Sequence, residues 1–169
     1  MTTSTEHGVG LIVRRLERAR VAHEIVEHSP TFSALQEAAA ARAQLSYTVK
    51  TLILHDRAGL RMAVLPADRR LDLVKARRLL GGTRHLRLAT EAEIEASFPD
   101  FDAGALPPLL PIPVVVDSQL LFRRAVLCSG GDNTHSIRLD PRELIRLAEP
   151  RVGNISAAEN PLPKRFAPA

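Results

Sequence analysis

The chain has 169 residues, of which 45% are hydrophobic and 25% charged, enough for one domain with a sizeable core. It contains no apolar run long enough to span a membrane and no signal peptide pattern, so we expect a cytoplasmic protein without a membrane partner. The single cysteine, Cys128, excludes an internal disulfide and a thiolate-rich zinc site, while a net charge of +4 favours a polyanionic partner.

The start of the chain predicts a helix, a strand and a second helix. Residues 8–20 place apolar side chains at helical spacing with arginines on the other side, the pattern of an amphipathic helix. Residues 22–27 are typical of a short strand. Ser33 and Gln36 form a capping-box pattern that begins a helix over residues 34–43.

The next segment, residues 47–55, is an apolar, β-branched run with one lysine near its start, Lys50. Such a run predicts a buried strand, and a buried ammonium is costly unless it meets an anion or a wet cavity. Only three of the 23 basic residues are lysines, so a compact point charge has been used here where arginine is the usual cation. We therefore expect Lys50 at the mouth of a pocket. The alternative is an edge-strand lysine with a solvated head.

A hairpin and a basic helix follow. Residues 56–59 predict a turn that joins the Lys50 strand to a second strand over residues 60–65. Residues 71–80 predict a helix that Gly81 and Gly82 end. Five cations on or just before this helix form a candidate polyanion-binding surface, here called the basic segment: Arg69, Arg70, Lys75, Arg77 and Arg78. The alternative is a solvated helix face.

A proline-rich loop divides the second half of the chain. Before it, residues 85–88 predict a strand, and Thr90 with Glu93 forms another capping box that begins a helix to residue 97. Residues 98–113 hold five prolines and one glycine, a density that no helix or central strand tolerates. Because this stretch is also apolar, we predict an ordered loop packed on the domain, and a loop of this length is usually functional.

The last part of the chain predicts three strands, over residues 114–117, 125–129 and 134–139. A helical link over residues 118–122 follows the first strand, and a turn of glycine and Asx character, residues 130–133, precedes the third. Asp140, Pro141 and Glu143 make a complete helix start. Residues 151–169 predict a flexible tail, which leaves residues 1–150 as the folded domain.

Common catalytic motifs are missing from the sequence. It has no P-loop, dinucleotide fingerprint, His-Glu-x-x-His or Gly-x-Ser-x-Gly pattern, and its six histidines show no metal-ligand spacing, so we expect neither a metal nor a cofactor. Cys128 ends a predicted core strand, where a free cysteine is usually a small hydrophobe. The residues left for chemistry are Lys50, the proline-rich loop and the polar turn that follows Ser129.

Three segments, in this order and at this spacing, resemble the YbaK-like aminoacyl-tRNA deacylases, which are related to the editing domain of bacterial prolyl-tRNA synthetases. Val49-Lys50-Thr51-Leu52 is similar to that family's lysine-threonine-leucine strand. Gly104-Ala105-Leu106-Pro107-Pro108-Leu109 is similar to its Gly-x-x-x-Pro loop, and residues 129–137 to its glycine-rich turn and following strand. The resemblance covers residues 21–149. Leu109-Leu110 departs from the family pattern, which continues with an aromatic residue or leucine and then glycine, and this leaves the accepted amino acid open.

The resemblance implies an α+β fold, a single domain with a mixed, mostly antiparallel, β-barrel-like sheet surrounded by helices. It implies a trans-editing hydrolase that removes a wrong amino acid from tRNA, with tRNA-Pro-type substrates, and with aminoacylated tRNA and a prolyl-tRNA synthetase complex as partners. The implied catalytic residues are Lys50, Gly104, Ala105, Leu106, Pro107 and Pro108. The implied substrate-binding residues are His28, Thr31, Phe32, Gly130, Gly131, Asp132, His135 and Ser136. The basic segment is the expected tRNA contact.

Physical chemistry suggests a role for each group. A point charge such as Lys50 suits the phosphate or ribose of the terminal adenosine. Backbone N–H groups of residues 104–108 suit the negative charge that develops on the ester carbonyl oxygen. Either the free ribose hydroxyl of the substrate or polar groups such as Asp132 and His135 position the attacking water.

Two other functional classes stay open. One is a catalytically silent relative that binds or senses an aminoacyl group, against which the intact Lys50 and Gly104 loop argue. The other is a nucleic-acid-binding protein without pocket chemistry. The sequence has no helix-turn-helix or zinc-finger pattern and only one tyrosine and five phenylalanines for base stacking, so no DNA partner is expected.

Overall fold

A computed structural model of the protein describes residues 7–157, in which five α-helices surround three open β-sheets. The helices are α1 (Val9–Arg18), α2 (Ala34–Ala40), α3 (Leu73–Leu80), α4 (Glu91–Ser97) and α5 (Pro141–Ala148). The strands are β1 (His23–Glu27), β2 (Val49–Asp56), β3 (Gly59–Pro66), β4 (Arg70–Leu71), β5 (Arg87–Leu88), β6 (Val114–Asp117), β7 (Val126–Asp132), β8 (His135–Leu139), β9 (Arg151–Gly153) and β10 (Ser156–Ala157).

Local sequence signals fix most helix ends. Four helices begin at a residue whose side chain accepts a hydrogen bond from the first turn, which satisfies a backbone N–H that the helix itself leaves unpaired: Ser33, Asp72, Thr90 and Asp140. Thr90 and Glu93 complete the predicted capping box in both directions. α3 ends at Gly81 in the left-handed conformation, as predicted.

The largest sheet has the strand order β5-β2-β3-β6-β9. β2 and β3 form the predicted antiparallel hairpin, whereas β6 runs parallel to both β3 and β9. Both faces of this sheet are covered. Along β3, Met62 and Val64 enter one hydrophobic cluster, while Ala63 and Leu65 enter another beneath α3.

A second sheet, β1-β8-β7, packs against the first. Residues of β2 such as Val49 and Ile53 share one cluster with Cys128 and Ile137 of the second sheet, and α1 and α5 contribute to the same cluster. An isolated parallel bridge between Thr48 and Leu127 joins the start of β2 to β7. The head of the Lys50 strand is therefore fixed beside β7.

The predicted α+β single-domain architecture is confirmed, and the pairing is mixed and mostly antiparallel. The sheets differ from the expected barrel-like form, because each of the three remains open. The turn predicted at residues 130–133 is also placed differently: Gly130, Gly131 and Asp132 belong to β7, where the register against β8 shifts between Ser129 and Asp132, a β-bulge.

Residues 151–157, predicted as part of a flexible tail, form the last two strands. β9 pairs with β6, β10 pairs with β4, and Ile155 between them is fully buried. The buried carboxylate of Asp117 accepts a hydrogen bond of 3.1 Å from the Ile155 N–H. The folded part of the chain thus extends beyond residue 150. The rest of the predicted tail, residues 158–169, lies outside the described residues. Between residues 7 and 157, each helix is too short or too polar to cross a membrane.

Candidate active site

A cavity of about 460 Å³ opens between the head of β2, the start of α2, the proline-rich loop and β7. Most of its wall is apolar, formed by Val49, Leu52, Ile53, Leu88, Ile94 and Leu106. Lys50, Thr51, Ser33 and Ser129 add polar groups. A concave, mainly apolar site of this size with a few polar groups is typical of a small-molecule or aminoacyl-binding pocket.

Lys50 lies one residue into β2 and lines this cavity. It pairs in register with Leu65 of β3 and is partly buried, while the preceding Val49 is buried in the core. The strand is held by its apolar neighbours, and Lys50 is among the residues that line the pocket. Its catalytic role stays a prediction.

The proline-rich loop forms the opposite wall. Of the residues from Gly104 to Pro108, only Gly104 and Leu106 line the cavity, and the rest pack beneath them. The Ala105 N–H is already bonded to the Asp102 carbonyl at 2.9 Å, and prolines carry no N–H. Gly104 and Leu106 are therefore the residues of this stretch whose amides best suit an anionic oxygen in the cavity.

Gly104 lies close to the backbone of the segment that precedes α2. A Cβ at this position would lie 3.1 Å from the carbonyl oxygen of Phe32. Phe32 itself is 68% exposed and lines the cavity, so the predicted substrate-binding Phe32 and the predicted catalytic Gly104 stand next to each other at the rim. The neighbouring Thr31 is buried, and its N–H donates to the Asn133 carbonyl.

The glycine-rich end of β7 supports the loop. A Cβ on Gly131, which has a φ of 101°, would lie 2.6 Å from the ring of Phe101, and a Cβ on Gly130 would lie 2.8 Å from the His135 carbonyl oxygen. The Asn133 N–H donates to Asp102 at 3.0 Å. Gly131 therefore packs behind the loop and Gly130 packs against β8, and neither glycine is among the residues that line the cavity.

Asp132 and His135 form a polar link to α1. Asp132 accepts hydrogen bonds from the Val9 N–H at 3.1 Å and the Thr134 N–H at 3.0 Å, and His135 Nδ1 lies 2.8 Å from it. Burial works to raise the pKa of Asp132, but the contacts with His135, Val9 and Thr134 outweigh it and hold the pKa below its ordinary value. The structure thus places both residues in the support of a helix start, away from the wall where we expected them to position water.

A buried acidic residue that the sequence analysis did not select lies behind the cavity. Glu37 of α2 is 3% exposed, and its two carboxylate oxygens accept hydrogen bonds from Ser129 and Ser136. Ser136 also lies 2.8 Å from His28 Nε2. Burial raises the pKa of Glu37. The predicted substrate-binding His28 and Ser136 therefore belong to a network that reaches the cavity through Ser129.

Cys128 is buried next to this network. Burial, and to a smaller extent the negative charge of Glu37, raise the pKa of its thiol far above the ordinary value. A thiol in that state is a poor nucleophile. Elsewhere within residues 7–157, no group of three His, Cys, Asp or Glu side chains is placed to hold a metal ion.

The basic segment begins at the cavity rim. Ala67 lines the cavity, and Arg69 and Arg70 follow it after Asp68. Arg70 and Arg78 are exposed, whereas Lys75 donates to the Ser156 carbonyl at 3.0 Å and so faces the domain. The sequence periodicity placed Val74 on the apolar side of this helix, but Val74 is 47% exposed. The helix face that is buried in the domain is the one that carries Ala76.

The sequence model of the aminoacyl-tRNA editing domain matches residues 28–147, a span that contains Lys50, the Gly104 loop and Ser129. The chain belongs to the aminoacyl-tRNA editing domain family. The resemblance inferred from three motifs is thereby confirmed. A comparison with functionally curated proteins gives no significant match.

Solved structures share the fold of this editing domain. A hypothetical protein is 29% identical with a TM-score of 0.79, and the alignment covers 86% of this chain and 99% of that one. A protein proposed to be a trans-editing enzyme for prolyl tRNA synthetase is 28% identical with a TM-score of 0.76, covering 94% of this chain and all of the other. A protein from Marinobacter aquaeolei proposed to act in signal transduction is 18% identical with a TM-score of 0.62. The match covers 88% of this chain and 31% of that one, and at this identity it shows the fold alone.

Proposed function

We propose that this editing domain hydrolyses the ester bond between a wrongly attached amino acid and tRNA, acting in trans. The observation that carries the proposal is the meeting of Lys50 and the Gly104 loop on two walls of one cavity. A similar solved structure is of a protein proposed to serve prolyl-tRNA synthetase, which favours tRNA-Pro-type substrates and a prolyl-tRNA synthetase complex as a partner. The cytoplasm, where tRNA is charged, is the proposed location.

In the proposed reaction, water attacks the ester carbonyl carbon and the bond to the ribose oxygen breaks, with the proton of the water passing to that oxygen. Lys50 holds the phosphate or ribose of the terminal adenosine and fixes the ester against the loop. The amides of Gly104 and Leu106 stabilise the negative carbonyl oxygen, an effect worth about 3 kcal/mol per donor in comparable sites. The ribose hydroxyl of the substrate is the candidate for positioning water, since Asp132 and His135 are engaged with α1.

Neither a protein nucleophile nor a metal is needed in this scheme. An ester is already activated relative to an amide, so positioning and an oxyanion site suffice. The buried Cys128, with its raised thiol pKa, is unsuited to attack.

The function is tested by incubating the purified protein with a panel of mischarged tRNAs, with and without a strong chelator. We expect release of the amino acid from at least one mischarged tRNA-Pro, unchanged by chelation. Loss of activity on chelation and its recovery with zinc would contradict the metal-independent scheme. Tight binding of aminoacyl-tRNA without turnover would identify the protein as the silent relative instead.

A further inference from the structure

The buried network behind the cavity contains a carboxylate with an unusual environment. Glu37 accepts a hydrogen bond of 2.8 Å from the Ser129 hydroxyl on one oxygen and a short one from the Ser136 hydroxyl on the other. Within residues 7–157 it forms no ion pair with a lysine or arginine, and the charged group that acts on it is His28, beyond Ser136. A buried carboxylate is costly, and fold stability alone gives no reason to keep one here.

The hydrogen atoms of this network can be counted. A serine hydroxyl has one hydrogen, so when Glu37 is ionised both Ser129 and Ser136 donate theirs to it. His28 Nδ1 lies 2.8 Å from the Ser29 carbonyl oxygen, which can only accept. The oxygen of Ser136 in turn lies 2.8 Å from His28 Nε2. With its hydrogen donated to Glu37, the Ser129 hydroxyl has only the lone pairs of its oxygen left.

Ser129 is one of the residues on the cavity wall, so a ligand bound in the cavity can reach these lone pairs. The site therefore requires a hydrogen-bond donor, and the buried negative charge of Glu37 behind Ser129 favours a cationic one. Lys50 supplies positive charge on β2, and the intervening wall is apolar. A ligand that matches this arrangement carries an ammonium group at one end and an anionic or ester-bearing group at the other.

We propose that Ser129, backed by Glu37, binds the α-ammonium group of the aminoacyl ester. This inference rests on the proposed function, and it adds a recognition rule to it: the site accepts esters with a free α-amine and discriminates against acyl groups with a hydroxyl or a blocked nitrogen at that position. The α-ammonium donates to the Ser129 oxygen while the ester carbonyl faces the Gly104 loop.

The test measures binding without requiring turnover. Two non-hydrolysable probes are compared by calorimetry at neutral pH: 3′-amino-3′-deoxyadenosine carrying an alanyl group, and the same compound carrying a 2-hydroxypropanoyl group. The probes differ only in the α-substituent. We expect the wild type to prefer the alanyl probe by roughly ten- to hundred-fold, the loss expected for a hydrogen bond to a charged group.

Two variants assign that preference to the network. In Glu37→Gln the charge is removed at nearly constant shape, and in Ser129→Ala the accepting oxygen is removed while the carboxylate stays. Both should bring the two probes to within about three-fold of each other, judged against the same bond energy. Glu143→Gln, which removes a surface carboxylate bonded to Arg146 on α5, is the matched control and should retain the full preference.

Equal affinities for the two probes in the wild type would overturn the inference, and so would a full preference retained in both Glu37→Gln and Ser129→Ala. Because the wild-type comparison needs no variant, the test stands even if one variant fails to fold. Failure to bind either probe also overturns it. The mischarged-tRNA panel then separates the two ideas, since deacylation can persist without this subsite.

Discussion

Lys50 is a charged residue on a strand that contributes to the hydrophobic core. Val49, Ile53 and Leu54 of the same strand are buried, whereas Lys50 lines the cavity in which the phosphate or ribose of the proposed substrate would lie. Arginine carries most of the positive charge in this chain, and its larger planar head would not substitute for a compact charge on a flexible stem. We therefore expect Lys50→Arg to behave more like a loss than a conservative change.

Replacing Lys50 with alanine should reduce deacylation by roughly a hundred-fold or more while leaving the melting temperature nearly unchanged, because the residue positions substrate and does not hold the core. Arg138→Ala is the control, since it removes a partly exposed cation that is paired with Glu24 on the second sheet. Activity of the Lys50→Ala variant close to wild type would remove this residue from the site.

Glu37 makes a second residue-scale prediction, about stability. Burial raises its pKa above the ordinary value of 4.5, so the unfolded chain loses this proton first as the pH rises. The contribution of Glu37 to stability is therefore greatest in acid and is lost as the pH rises through the folded pKa. Glutamine does not titrate, so the melting temperature of Glu37→Gln minus that of the wild type should increase between about pH 4 and about pH 8.

Thermal unfolding followed by circular dichroism across this pH range measures the difference. Groups common to both proteins cancel, which isolates Glu37 from the other titrating side chains. A difference that is constant or falls with pH would mean that Glu37 is not held at a raised pKa.

Lys50 could be selected from the sequence as a candidate site residue, whereas Glu37 could not. A single lysine in an apolar, β-branched run is locally visible. Glu37 follows a glutamine in an alanine-rich helix and looks like any solvated helix acid, and its burial depends on Ser129 and Ser136, which are about ninety or more residues away in the chain. The only local signal was its place just after the Ser33 cap, in the turn that faces the cavity.

At the scale of elements, the hairpin, the helix caps and the proline-rich loop were predictable because each depends on a short stretch of sequence. The end of the chain was not. β9 and β10 are three and two residues long, too short for a detectable periodicity. They form because β9 pairs with β6, β10 pairs with β4, and Asp117 accepts a hydrogen bond from the Ile155 N–H between them. The β-bulge at Gly130 and Gly131 was similarly taken for a turn, since glycines serve both.

Ile155→Ala tests whether that last segment belongs to the fold. Ile155 is fully buried in the cluster beneath α3, so truncation should cost about 2–5 kcal/mol in the free energy of unfolding, measured in urea. Val152→Ala is the matched control: Val152 lies on β9 but is 38% exposed, and the expected cost is below about 1 kcal/mol. If Ile155→Ala lowers the free energy of unfolding no more than Val152→Ala does, the original prediction of a flexible tail from residue 151 would hold.

For the whole molecule, the distribution of charge matters more than its sum. A net charge of +4 spread evenly would give weak, unspecific attraction to any polyanion. Here Arg69 and Arg70 lie two and three residues after Ala67, which lines the cavity, and the exposed Arg78 lies further along the chain on α3. A tRNA acceptor end in the cavity would thus have its backbone near these cations.

Affinity for aminoacyl-tRNA should accordingly fall steeply with salt between about 50 mM and about 200 mM, because each neutralised phosphate releases condensed counterions. Reversing Arg77 and Arg78 to glutamate should lower the magnitude of the log–log slope by roughly 1.4 to 1.8, the amount expected for two lost phosphate contacts. Reversing Arg18 and Arg20, which are exposed at the end of α1, changes the net charge equally and should leave most of the slope intact. If both double variants lower the salt slope equally, tRNA responds to the total charge of the domain. If neither variant changes the slope, α3 is a solvated face and the phosphate contacts lie elsewhere.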